Sequence, residues 1–253
     1  MRAPSPYLSD IINIIGSKIK IPFLAASLLI CILSPISCVP QVYPDPDSSH
    51  AILKSLEGKT KVFPLKTRWL GFEEDFTPDL NDLNQFPNLE SLEIHSARFS
   101  NFRSLLKFDG LKSLSLSGTG VKSLVGIEEF KNLHTVSLSG TSIRDFSPLS
   151  GARRLTSLRL DKTEFSDTEI LSPLGELRHL DLRSTKVTSL KGLKKLTKLI
   201  DLYIGNTELE SLKDLDSLEN LIGLEIDGLS IPEEEIRYLL SKLPYLKIIR
   251  RGQ

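Results

Sequence analysis

A period of 22 residues runs through most of this chain and limits the folds open to it. The pentapeptide SLSGT occupies residues 115–119 and occurs again at residues 137–141, 22 positions later. The same interval separates seven successive leucines: Leu89, Leu111, Leu133, Leu155, Leu177, Leu199 and Leu221. Self-similarity at a fixed period marks repeated supersecondary units that bury a core only by stacking, so the sequence predicts a solenoid.

Each repeat divides into a strand and a helical return. The positions three and five residues after each leucine of this series are apolar and alternate with polar positions, which is the period of a strand with one buried face. Further apolar positions follow ten, sixteen and nineteen residues after the leucine. Because a spacing of three suits a 3₁₀ turn, each unit is predicted to run strand, turn and short helical return.

The same columns predict how the array begins and ends. A degenerate first copy carries apolar or threonine side chains in register with the clear repeats: Thr67, Leu70, Phe72, Leu80, Leu83 and Phe86. Residues 51–59 are predicted as a short covering helix. Residues 230–243 are predicted as a capping helix with Ser230 as N-cap and Pro232 in the first turn, followed by an LKII strand. The apolar stripe of that helix is predicted to be Ile236, Leu239, Leu240 and Leu243. The N-terminal cap is therefore placed at 51–66, one degenerate and seven clear repeats at 67–245, and a C-terminal cap at 230–253 that overlaps the last repeat.

The repeat pattern LxxLxLxxTxI resembles that of the leucine-rich repeat proteins. The segment TSIRDFSPLSGARRLTSLRL, residues 141–160, is similar to the 22-residue class found in bacterial internalins and in phosphatase-regulatory subunits. The resemblance implies an α/β repeat solenoid, an arc with a concave parallel β-sheet and short 3₁₀ or irregular helical returns on the convex side. By analogy it implies adhesion for an internalin-like protein, and a cytosolic regulatory scaffold for a phosphatase-binding one.

The N-terminal part of the chain has the layout of an export signal. Residues 21–44 carry no charge and follow two lysines, which is typical of a secretory signal. At the exit, SPISC (residues 34–38) resembles a bacterial lipobox, and the resemblance implies lipid attachment at Cys38. Cleavage by an ordinary signal peptidase and retention as an uncleaved anchor remain open. Residues 1–38 are thus predicted as a signal or anchor and residues 39–50 as a flexible tether, in an exported, membrane-anchored protein of the bacterial envelope, periplasmic or surface-facing.

A threonine column is predicted to be structural. It comprises Thr119, Thr141, Thr163, Thr185 and Thr207, eight residues after each leucine of the series. An unsatisfied buried hydroxyl costs about 1–3 kcal/mol, so these hydroxyls are expected to bond backbone groups one repeat away.

The outward positions of the strands form the concave face, where binding residues are expected. The early repeats present mostly serine, whereas the later ones present seven candidate partner-binding residues: Arg159, Asp161, His179, Asp181, Arg183, Tyr203 and Glu225. Arg and Tyr are favoured anchors at interfaces. The alternative is that these charges pair across neighbouring strands and are merely solvated. Trp69, the only tryptophan, is predicted to pack in the N-terminal cap.

Several functional classes are disfavoured by the sequence. Lys plus Arg and Asp plus Glu both number 32, which leaves no basic footprint for nucleic acid. His95 and His179 lie four strands apart, about 19 Å, too far for one metal site. Asp181 and Asp201 could hold calcium, but nearby arginines are expected to balance them. No nucleophile elbow or phosphate loop occurs, and neither a cofactor nor a catalytic residue is predicted.

The expected function is a non-catalytic, membrane-displayed module whose concave face binds a protein or a glycan. The alternatives are a cytosolic scaffold resembling the phosphatase-binding proteins and a purely structural envelope protein. Fractionation of the cell distinguishes the first two, because only the displayed module is found with membranes.

Overall fold

The computed structural model describes residues 50–250. The predicted signal or anchor (1–38), almost all of the predicted tether (39–50) and the candidate lipidation site Cys38 lie outside these residues.

A parallel sheet of nine strands forms the array, with each strand beside its sequence neighbour. The strands are β3 (Trp69–Phe72), β4 (Ser91–Ile94), β5 (Ser113–Ser115), β6 (Thr135–Ser137), β7 (Ser157–Arg159), β8 (His179–Asp181), β9 (Asp201–Tyr203), β10 (Gly223–Glu225) and β11 (Lys247–Ile249). Leu92 pairs with Leu114, and Leu114 with Val136, so the pairing register has the 22-residue offset of the repeat. The degenerate first copy contributes β3, whose Leu70 pairs with Leu92.

Seven 3₁₀ helices return the chain between these strands in the described residues. They are η1 (Asp82–Gln85), η2 (Phe102–Leu105), η3 (Ile127–Glu129), η4 (Ser147–Gly151), η5 (Thr168–Leu171), η6 (Lys191–Lys195) and η7 (Lys213–Leu215). The apolar columns of strands and returns are buried together in one continuous core. The α/β solenoid with a parallel sheet and 3₁₀ returns is confirmed.

The covering helix predicted at residues 51–59 is wrong, because this segment is part of a β-hairpin. Strands β1 (His50–Lys54) and β2 (Thr60–Pro64) pair antiparallel, with Ile52 opposite Val62. Ala51 and Leu53 are buried, while Ile52 between them is exposed, which is the period of a strand. Gly58 adopts a φ of +81° in the connecting turn, a conformation that favours glycine.

The C-terminal cap differs from its prediction at the first turn of its helix. Helix α1 (Glu233–Lys242) begins after Pro232, which occupies the N-cap position without a side-chain hydrogen bond, so Ser230 is not the cap. Leu240 is exposed, whereas the other three members of the predicted stripe are buried. The terminal LKII strand is present as β11, paired parallel to β10.

The threonine hydroxyls bond within their own repeat and not to the next one. Each donates to the carbonyl three residues earlier, as Thr163 Oγ1 does to Leu160 O at 2.6 Å. The bond to the next repeat is made by the preceding residue, for example from Gly140 N to Asp161 O at 2.9 Å. Gly118 and Gly140 reach this geometry with φ of +71° and +65°, a conformation that favours glycine, and Lys162, Ser184 and Asn206 adopt a positive φ at the same position of the next three repeats.

Candidate functional site

Two adjacent polar grooves lie along the concave sheet. The first, the serine groove, has a volume of about 560 Å³ and is lined by hydroxyl and charged side chains of β4–β7 and their following turns. The second, the arginine groove, has a volume of about 370 Å³ and is lined by β7, β8 and β9. Arg159 lines both grooves and therefore lies between two surfaces that a ligand can reach.

A chain of hydroxyl groups crosses the serine groove. Ser117 Oγ lies 2.8 Å from Ser137 Oγ, which lies 3.2 Å from Ser139 Oγ. Ser139 donates to Asp161 Oδ1 at 2.5 Å, because an ionised carboxylate can only accept. These serines were not among the candidate residues. Their repetition in matching columns 22 residues apart was the signal available in the sequence.

Asp181 is the centre of the arginine groove. It is 5% exposed, and its carboxylate accepts from Arg183 Nε at 2.9 Å and from the second guanidinium nitrogen of Arg183 at 2.5 Å. The guanidinium of Arg159 lies 3.8 Å from the same carboxylate and 3.5 Å from the carboxylate of Asp161. The hydrogen bonds to Asp181 raise the pKa of Arg183 above its usual value. Asp181 and Asp161 are buried, so they support the arginines and are not exposed contact residues.

Tyr203 is held beside this pair. The Arg183 guanidinium lies over the Tyr203 ring, 5.2 Å from its centroid, an arrangement that adds cation–π attraction. Because Arg183 is fixed by two hydrogen bonds to Asp181, the ring has a defined neighbour on one face. Tyr203 is half-buried and lines the arginine groove.

His179 and Asp201 form a separate pair at the edge of the same groove. His179 Nδ1 lies 2.8 Å from Asp201 Oδ2, and the histidine side chain is 49% exposed. A Cβ on Gly223 would lie 2.5 Å from Asp201 Oδ1, so the absence of a side chain there leaves room for this carboxylate.

Glu225 is buried beneath a neighbouring turn, contrary to its predicted exposure. Its Oε2 accepts from Gly205 N at 3.0 Å, and a Cβ on Gly205 would lie 2.7 Å from the carboxylate. Burial raises the pKa of Glu225 above its ordinary value, and a hydrogen bond with Asp227 raises it further. The carboxylate therefore braces the turn after β9 and is not presented to a ligand.

Trp69 lies on the concave face of β3 and is not packed in the N-terminal cap as predicted. It is 38% exposed, and its ring lies across Gly71, where a Cβ would come within 2.6 Å of it.

Within residues 50–250, no group of three or more His, Cys, Asp or Glu side chains is placed to hold a metal ion.

Comparisons with known proteins agree with this architecture. A family model for leucine-rich repeats, in two copies, matches residues 176–220. No curated protein matches the sequence significantly. Among solved structures, internalin C2 from Listeria monocytogenes has a TM-score of 0.66 and 24% identity, over 72% of this chain and 80% of that one.

Two further structures are similar over larger proteins. A second Listeria monocytogenes internalin has a TM-score of 0.63 and 19% identity, over 73% of this chain and 53% of its own. A leucine-rich repeat protein of Leptospira interrogans has a TM-score of 0.59 and 25% identity, over 66% of this chain and 44% of its own. The chain thus spans about half the length of these two proteins or less. The likeness establishes the leucine-rich repeat fold.

Proposed function

We propose that this leucine-rich repeat protein is a non-catalytic binding module, displayed on a bacterial membrane, that docks a protein ligand on its concave face. The contact residues are Arg159, His179, Arg183 and Tyr203, and the supporting residues are Asp161, Asp181 and Glu225. The observation that carries the proposal is that the buried carboxylate of Asp181 holds Arg183 against the ring of Tyr203, beside the accessible Arg159.

Pre-organisation of these groups favours binding. Ordering a long side chain on association costs about 0.5–1.5 kcal/mol, and less of that cost remains when the side chain is already held. Arg183 is fixed on Asp181, whereas Arg159 is 53% exposed and makes only long contacts of 3.5 and 3.8 Å. Arg159 is therefore free to turn towards an acceptor on a ligand, while Arg183 and Tyr203 provide a rigid neighbour.

Solvation of paired charges explains less of this arrangement. Exposed ion pairs contribute about 0–1 kcal/mol and need no burial. Asp181 and Asp161 are instead buried, which costs free energy unless their hydrogen bonds are satisfied. A ligand that covers the groove strengthens these interactions by excluding water, and Arg and Tyr are enriched at the centres of such interfaces.

Membrane display is supported by the sequence of the N-terminal segment. Residues 21–44 are free of charge and Cys38 stands in a lipobox-like setting. Within residues 50–250, no helix has both the length and the apolar character needed to cross a bilayer. We propose attachment through the N-terminal segment, by a lipid at Cys38 or by a retained anchor, on the strength of this sequence pattern alone.

Paired substitution tests the concave face. A ligand captured by crosslinking on intact cells is purified, and its affinity is measured for the wild type and for the Arg159→Ala/Tyr203→Ala variant. The matched control, Arg153→Ala/Tyr245→Ala, removes the same residue types from exposed positions outside the sheet. We expect at least a tenfold loss for the first variant, about 1.4 kcal/mol, and no change for the control. A smaller loss, or equal losses, would overturn the assignment to the concave face. If a glycan is captured, its affinities for the same variants show whether a carbohydrate docks on the concave face.

Intact mass and cell fractionation test the display. We expect the mass of an acylated chain that begins at Cys38, in the membrane fraction, and its loss in a Cys38→Ser variant. An unmodified full-length chain in the membrane fraction would indicate a retained anchor. The same mass in the soluble fraction would refute display and favour the cytosolic scaffold.

A further inference from the structure

The outward face of the N-terminal hairpin is apolar and exposed. Five large apolar side chains of the described residues are more than half exposed, and three of them lie in this hairpin: Ile52 at 56%, Val62 at 62% and Leu56 at 70%. Ile52 and Val62 are directly opposite each other across β1 and β2. Their contact with water is unfavourable, so a patch of this kind marks a surface that another body covers.

The hairpin segment itself carries more positive than negative charge. Residues 50–68 contain five lysines and arginines and a single acid, Glu57. Glu57 is turned into the protein, where it accepts from Thr77 N and Oγ1. On the outward face, Lys54 follows Ile52 at the same side of β1 and is exposed. Part of the remaining positive charge is balanced, since Lys59 pairs with Asp75 and Arg68 with Glu90.

With the membrane display proposed above, the chain itself would bring a lipid surface near this face. The charge-free stretch ends at Pro44, only six residues before β1 begins. At about 3.5 Å per residue, an extended link of this length reaches about 20 Å, and a link from Cys38 reaches about 40 Å. A hairpin held this close experiences a high effective concentration of membrane surface.

We propose that the Ile52–Val62 face of the hairpin docks on the surface of an anionic bilayer, as a second contact beside the N-terminal attachment. The apolar side chains enter the boundary between headgroups and acyl chains, and Lys54 extends its stem so that its ammonium group stays among the phosphates. One lipid chain alone gives only marginal and reversible membrane binding, so a second contact of this type strengthens attachment. This inference rests on the membrane display proposed above.

Fluorescence quenching by brominated lipids tests the contact in the full chain. Trp69→Phe removes the native tryptophan, and a single reporter is placed by Ile52→Trp or, as a control, by Val125→Trp. Both positions are 56% exposed, so the two reporters are equally open to water. The chains are bound to vesicles of phosphatidylglycerol and phosphatidylcholine with bromine on the acyl chains. We expect at least twofold stronger quenching at position 52 than at position 125, and a fall in quenching at position 52 when phosphatidylglycerol is left out.

Each other outcome contradicts a defined part of the proposal. If the full chain does not sediment with the vesicles, both display and docking fail. If it sediments but the two reporters are quenched equally, display stands and docking of the hairpin is wrong. If Ile52→Ser dissociates a dimer in detergent solution, the face is covered by a second copy of the chain and not by lipid.

Discussion

Gly192 should be a position where one added methyl group disrupts the packing of two neighbouring repeats. It lies in η6, and a Cβ there would be 2.0 Å from Thr168 O and 2.4 Å from Glu169 N, both backbone atoms of η5. Real Cβ contacts do not close below 3.0 Å, so the two returns would have to separate by about 1 Å. No side-chain rotation relieves such a clash.

The separation would also break a buried hydrogen-bond arrangement. Gly192 N donates to Thr168 Oγ1 at 3.2 Å, and this hydroxyl donates to Ser189 O at 3.0 Å. Overpacking costs about 1–3 kcal/mol, and loss of a buried hydrogen bond adds about 1 kcal/mol. We therefore expect Gly192→Ala to lower the free energy of unfolding by about 2–4 kcal/mol.

Equilibrium urea unfolding followed by circular dichroism measures this change. The control is Gly175→Ala, because a Cβ at Gly175 meets nothing within 4 Å and the residue has no positive φ. We expect the control to stay within about 1 kcal/mol of wild type or to gain slightly, since alanine restricts the unfolded chain. If Gly192→Ala were as stable as Gly175→Ala, the close approach of η5 and η6 would not constrain the array.

Two carboxylates should give opposite pH dependences of stability. Burial raises the pKa of Glu225, so the folded state holds this proton more tightly, and the free energy of unfolding falls as the pH rises from the ordinary carboxyl range through the folded pKa. Glu225→Gln should therefore match or exceed the stability of the wild type at neutral pH. Chemical unfolding from about pH 4 to 8 measures this, and a variant that was less stable at every pH would contradict it. The hydrogen bonds from Thr77 lower the pKa of Glu57 to about 2, so the contribution of this carboxylate to stability is present above about pH 4.5 and is lost as the pH falls towards 2. Glu57→Gln should therefore be less stable than the wild type at neutral pH, and the difference should close on acidification. A difference that stayed constant with pH would argue against ionisation as its cause.

The periodic positions of the chain were predictable because burial alone decides them. The apolar columns of the clear repeats are in the core, with Phe108 packed against it, and even the degenerate copy enters the sheet in the predicted register through Leu70. A repeat contacts only its neighbours, so one spacing, read seven times, predicts strand, return and pairing for the whole array. Where the period stops, local signals were weaker. Residues 51–59 were predicted as a helix, but the turn at Gly58 and the partner strand β2 make them part of a hairpin.

The polar face depended on information that the period does not contain. The sequence predicted that Asp161, Asp181 and Glu225 lie on the sheet side, but it did not predict that they are buried. Their burial follows from the arginines beside them and from the space left by Gly205. Likewise the threonine hydroxyls had two backbone acceptors within reach, and the turn geometry selected the one in the same repeat. The sequence by itself therefore determined the solenoid, its register and the surface on which function is sought. The tertiary structure decided which polar groups on that surface support and which are exposed, because hydrogen-bond partners depend on distances between neighbouring strands as well as on residue type.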